Sequence, residues 1–179
     1  DYLSAAASIM GAVDGTPGSN DMPGRLVFST SADGSGQPSE RMRIDSAGKM
    51  VMGHTTASAV RDVWDNTPTP QLQVIGVETS MAIIANNANT DTGAASRAGS
   101  LVFVRSLSNT LGSTTLVTDD IGLGGISWVG ADGSNYFSQA ASITAFVDGS
   151  SGSAQMPGRI VFSTTAAGGD GATERMRLD

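Results

Sequence analysis

Met22-Pro23-Gly24-Arg25-Leu26-Val27-Phe28-Ser29-Thr30 and Met156-Pro157-Gly158-Arg159-Ile160-Val161-Phe162-Ser163-Thr164 are one stretch written twice. The match extends both ways without a gap. Residues 1–45 and 135–179 align at a shift of about 134 positions, with about 26 of 45 positions identical. Ala6-Ala7-Ser8-Ile9 returns as Ala140-Ala141-Ser142-Ile143, and Glu40-Arg41-Met42-Arg43 as Glu174-Arg175-Met176-Arg177. Such a duplication describes an array of modules rather than a self-contained catalyst. The chain starts at Asp1 rather than Met and stops inside its second copy, so the expectation is a window of a longer string of modules.

Within the stretch, apolar side chains alternate with period two, the mark of a strand with one buried face. Leu26 and Phe28 share a face, as do Met42 and Ile44 in Glu40-Arg41-Met42-Arg43-Ile44-Asp45. Ser31 to Ser39 between them is rich in Gly, Ser, Asp and Pro and reads as a hairpin loop. Asp45-Ser46-Ala47-Gly48 is a tight turn, because glycine supplies positive φ without strain. A strand Lys49–Gly53 with Met50 and Met52 inward completes a three-stranded antiparallel meander over 24–53. Further strands are expected at 71–75, 80–84, 99–105, 121–129 and 136–147, with polar loops at 86–97 and 109–115. No segment sustains an apolar period of 3.6 residues. The fold class is all-β, built of antiparallel meanders or sandwich-like repeats with Gly-rich turns. Residues 1–53 form a partial module, 54–70 a linker stiffened by Thr67-Pro68-Thr69-Pro70, 71–134 a β subdomain, and 135–179 the truncated second copy.

Composition limits function. Apolar residues make up 39% of the chain and aromatics 5%, so a protomer alone builds a thin core. Missing burial then comes from neighbouring chains or repeats. Net charge is −7 with ten Lys and Arg, and no basic patch for nucleic acid is apparent. No cysteine exists for disulfides or thiolate metal sites. No apolar run approaches the roughly 18 residues of a membrane span.

No catalytic constellation emerges. His54, the single histidine, sits in a polar loop without partners and reads as a solvated or locally hydrogen-bonded residue. Asp14, Asn20 and Asp21 offer oxygens to a hard cation, but Asn20 and Asp21 are Ala154 and Gln155 in the second copy, so a turn is the better reading. Asp119 and Asp120 are adjacent and on a strand would face opposite ways, not across a groove. The expectation is no enzyme, no metal and no cofactor. Arg25, Glu40, Arg41 and Arg43 recur as Arg159, Glu174, Arg175 and Arg177. Arg25 and Glu40 could pair across the hairpin, or these charges could meet another chain, where bidentate Arg–carboxylate geometry sets register. Trp128 is in phase with Ile126 and is expected in the core. Trp64, in the linker, is the candidate exposed aromatic for a receptor contact, with packing as its plainer role.

The ordered blocks Trp128-Val129-Gly130-Ala131-Asp132-Gly133, Ala140-Ala141-Ser142-Ile143, Met156 to Thr165 and Glu174 to Asp179 resemble the repeated module of tailed-bacteriophage tail fibres. Arg41 to Lys49, Gly53 and Pro70 to Val74 are similar to the joint that follows that module, although the family's short Ile-Gly strand is here Met50-Val51-Met52-Gly53 and 54–69 is longer than usual. The resemblance implies a homotrimeric fibre of the virion, attached to other tail or baseplate proteins and directed at a bacterial surface glycan or protein receptor. It implies no membrane insertion and supplies no catalytic residues. A fibre-borne polysaccharide depolymerase and a monomeric glycan-binding β-sandwich adhesin are the alternatives. The first would need clustered carboxylates and the second a saturable sugar site.

Overall fold

A computed structural model describes residues 5–84 and 100–179. The chain divides into two compact units, residues 1–59 with 69–81, and residues 60–68 with 82–179.

The first unit holds β1 (Ala7–Val13), β2 (Gly24–Thr30), β3 (Ser39–Ile44), β4 (Met50–Met52) and β5 (Leu72–Val74) in one sheet of that order. The first three pairings are antiparallel, as the alternation and the intervening turns dictate. Asp45 shapes the β3–β4 turn: its Oδ1 accepts the amides of Ala47 and Lys49 at 2.9 and 2.8 Å, and Gly48 takes a φ of 76°. β5 pairs parallel with β4 in the register Met50–Leu72, Val51–Gln73 and Met52–Val74, a return that hairpin signals cannot announce.

The second unit holds β6 (Gly122–Gly130), β7 (Ser138–Val147), β8 (Gly158–Thr164) and β9 (Thr173–Leu178), all antiparallel and in sequence order. The duplication is reproduced down to single ladder rungs. β1–β2 runs from Ala7–Thr30 to Val13–Gly24, and β7–β8 from Ala141–Thr164 to Val147–Gly158. Both copies carry the same register shift, at Phe28/Ser29 and at Phe162/Ser163. The copies differ in their flanks: β3 goes on to β4 and β5, whereas β7 is preceded by β6.

The buried face is not the one the alternation suggested. Leu26, Ile44 and Met50 lie across the ladder from one another, as do Phe28, Met42 and Met52, so the apolar positions do share a face. Yet the closed side is the opposite one. Val27 is 5% exposed and Val51 fully buried, in register with Arg43 and Gln73, while Met52 is 40% exposed. Residues 55–57 border this side, and Gln73 locks it, its Oε1 accepting the Ser58 amide at 2.9 Å and its Nε2 donating to the Ser58 carbonyl at 3.1 Å. Among the described residues the buried hydrophobics are Val27, Val51, Val117, Val147 and Val161, every one a valine. Val27 and Val51 lie across the ladder from Arg43 and Val161 from Arg177, where a compact valine fits beside an arginine stem.

Two expected strands do not form. Residues 80–84 are extended without a ladder, with Met81, Ile83 and Ile84 exposed, and 100–105 likewise make no ladder. Alternation marks a strand only where a partner edge supplies hydrogen bonds, and these runs have none among the described residues. The loop expected at 86–97 and the residue Gly99 lie outside the described residues.

Candidate interaction site

The recurring charges organise the hairpin ends, and the structure pairs them differently from the cross-hairpin expectation. Arg25 Nη1 donates to Asp14 Oδ1 at 2.9 Å and to the Val13 carbonyl at 2.8 Å, not to Glu40. Glu40 instead receives Arg43 in a two-bond fork at 2.5 and 2.8 Å. The shift between Phe28 and Ser29 brings residues 40 and 43, three apart, onto one side of the strand. The second copy repeats both motifs. Arg159 binds Asp148 at 2.7 Å and the Val147 carbonyl at 3.3 Å, and Arg177 forks onto Glu174 at 2.7 and 3.0 Å. Arg41 and Arg175 are exposed, and each donates through Nε to a threonine hydroxyl, Thr30 at 3.1 Å and Thr164 at 2.9 Å.

These contacts hold the carboxyl groups in their charged form. The Arg43 fork lowers the Glu40 pKa and the Arg177 fork that of Glu174. Arg159 has a second carboxylate, Asp120 Oδ1 at 2.7 Å, and stands 4.9 Å from the centroid of the Phe146 ring. Hydrogen bonds to Asp120 and Asp148 raise its pKa further. Sequence reading missed Asp120 and Phe146 as partners, because Asp120 lies outside the repeat and Phe146 stands where the first copy has Ala12, so recurrence marks neither.

Trp64 lies on residues 60–68, which group with the second unit. Its ring stands edge-on to Phe146, centroids 5.4 Å apart, and the indole overlies Gly122, where a Cβ would overlap it. Gly125 makes similar room for Val63, which a Cβ there would meet at 2.9 Å. Asp62 shapes the bend: its Oδ1 accepts the amides of Trp64 and Asn66 at 2.8 and 2.9 Å. Arg61 ties it down, donating from Nη1 to the Phe137 and Asp170 carbonyls at 3.1 and 2.9 Å and pairing with Asp65. Trp64 is thus both packed and 38% exposed.

Trp128 is 50% exposed rather than in the core. It shares the open side of the second sheet with Ile126, Ile160, Met176 and Leu178, all more than a third exposed. An apolar hollow of about 390 Å³ opens here, bordered by Leu101, Val102 and Phe103 and by Ile126, Ile143 and Ile160. His54 Nδ1 accepts the Thr56 amide at 3.0 Å, a local bond as its loop position suggested. Among the described residues no three His, Cys, Asp or Glu side chains converge as metal ligands, and no helix is long and apolar enough to cross a membrane.

The chain is all-β, two meandering sheets that each leave apolar side chains exposed, and its fold is that of a known tail-fibre domain. It is similar over 98% of its length to the carboxy-terminal domain of the bacteriophage T5 L-shaped tail fibre, with a TM-score of 0.73 and 16% identity, and covers 70% of that chain. The same fibre domain solved with its intramolecular chaperone gives a TM-score of 0.74 at 16% identity and 98% coverage. The chain spans about half, 48%, of that longer protein. No family model matches the sequence, and no curated protein matches it.

Proposed function

We propose that this chain is a structural segment of a phage tail fibre, that it works as a homotrimer, and that it serves attachment of the virion to the bacterial surface. The fold likeness supports the fibre reading. The observation that carries the trimer is the reversed burial. Val27 and Val51 in the first sheet and Val161 in the second are buried on the side that carries Arg43 and Arg177, while isoleucine, methionine, leucine and tryptophan side chains remain exposed on the other. Contiguous apolar surface of this kind marks an interface. Packed against two copies, these faces form the interior that one chain lacks.

The role is mechanical. A rigid shaft or near-tip segment joins other tail or baseplate proteins to a glycan or protein receptor. Several weak contacts per particle then act together, raising the effective concentration of each at the host surface. The carboxylates described above are engaged by arginines and backbone amides, which favours a scaffold over a catalyst. Sedimentation at micromolar concentration tests the assembly. The expected mass is three times the 18.1 kDa chain, and a folded monomer overturns it. Competition by the purified chain for phage adsorption to host cells tests attachment.

A further inference from the structure

We propose that the cavity beside Trp64 is a binding site for one ring of a neutral sugar. The proposal rests on the attachment reading but concerns a different surface from the open apolar face. The cavity measures about 240 Å³ and lies wholly within the second unit, between the 60–68 bend, Gln139 of β7 and the Asp170–Ala172 loop that precedes β9. That is smaller than a pocket for a drug-sized molecule and suits a single small ring.

Its chemistry selects the ligand class. The Arg61 guanidinium faces the cavity but is occupied by two backbone carbonyls and Asp65. Among the described residues lining the cavity no free cation remains for a phosphate or an acidic sugar. The Gln139 amide nitrogen is engaged by Ser127 Oγ at 2.9 Å, leaving its carbonyl oxygen as an acceptor. The Asp170 side chain makes no hydrogen bond among the described residues, and Asp65 has a second carboxylate oxygen. The rim therefore offers acceptors without a spare positive charge among the described residues, and Trp64, 38% exposed, borders it. Hydroxyl donors around a ring with an apolar C–H face match that set. An anionic ligand would meet two carboxylates. The walls are held in place before any ligand arrives, because Arg61 ties the bend to the carbonyls of Phe137 and Asp170, limiting the ordering cost of binding.

The test uses the whole chain carrying Trp128→Phe, so that Trp64 is the single fluorescent tryptophan. Neutral hexoses are titrated against glucuronate. The expected result is a saturable fluorescence change with at least one neutral hexose, at a Kd of about 1–10 mM for so small a ligand, and none with glucuronate. Ala172→Leu, which fills the cavity, and Asp170→Ala, which removes an acceptor from an exposed loop, should each raise the Kd about tenfold or more, a loss of about 1.4 kcal/mol. Thermal midpoints should hold, and Asp170→Ala keeps the test valid if Ala172→Leu misfolds. No saturation by any neutral hexose up to about 100 mM, equal binding of glucuronate, or unchanged binding in a folded variant overturns the site. Adsorption competition without sugar binding would reject the cavity and leave attachment standing. Sugar binding without competition would do the reverse.

Discussion

Asp14 Oδ2 accepts the Ser46 backbone amide at 2.9 Å while its Oδ1 accepts Arg25. One carboxylate thus ties the end of β1, the start of β2 and the β3–β4 turn. The Ser46 amide first, and Arg25 after it, hold the Asp14 pKa below its ordinary value. A lowered folded-state pKa stabilises above the unfolded value, about 3.9, and that stabilisation is lost as pH falls through the folded one. Glu40, lowered by Arg43, acts in the same direction. Thermal melts from neutral to about pH 2 should show a falling midpoint below about pH 4. Asp14→Asn should lower the neutral midpoint and flatten the acid fall. An acid limb as steep as that of the native chain would remove Asp14 from this role.

Gly122 gives Trp64 its seat. Gly122→Ala places a methyl group inside the indole, and because the obstacle is a packed ring, relief requires the 60–68 bend to shift. The expected cost is about 1–3 kcal/mol. Trp64→Ala removes the Phe146 contact but also the clash, so the double variant should be less destabilised than the two single losses summed. Denaturant titrations followed by circular dichroism measure the cycle, and strict additivity would refute the coupling.

The two copies offer an internal control at Asn20 and Ala154, which share a φ of 59° at equivalent positions. Asparagine visits this left-handed region readily, while alanine is strained there. Ala154→Asn should stabilise the second unit by about 0.5–1 kcal/mol, and Asn20→Ala should weaken the first by a like amount. Urea midpoints at constant slope are the measurement.

Ile126 and Val161 lie on opposite sides of the second sheet, the former 47% exposed and the latter 8%. Ile126→Lys should dissociate the proposed trimer while leaving strand content intact. Val161→Lys should unfold the unit, because it buries an unpaired charge. Sedimentation velocity beside far-ultraviolet circular dichroism separates the two. If Ile126→Lys assembles normally, the open face is not the interface.

The hairpins around the repeated stretch were readable because everything they need is local. Alternation, a Gly-Ser-Asp loop and Asp45-Ser46-Ala47-Gly48 all act within a few residues. The inward face of Met50 and Met52 was not readable. Alternation defines two faces, and which one closes depends on where residues 55–57 and Gln73 return. Parallel β5 depends on the same return. At 80–84 and 100–105 the residue pattern is strand-like, but neither run finds a ladder partner among the described residues. In the candidate site, recurrence singled out Arg25, Glu40 and Arg43 as important. Their partners followed from a register shift that composition does not encode. Trp64 was legible as a partly exposed aromatic, whereas its glycine seat, some sixty residues away, was not.

The shared register of β1–β2 and β7–β8 bears on how such a gene changes length. Unequal crossover between the two coding blocks would join the front of one hairpin to the back of the other with every rung still matched. The product would gain or lose a whole period and meet no new folding problem at the seam. Coding length would therefore change in discrete steps of one module.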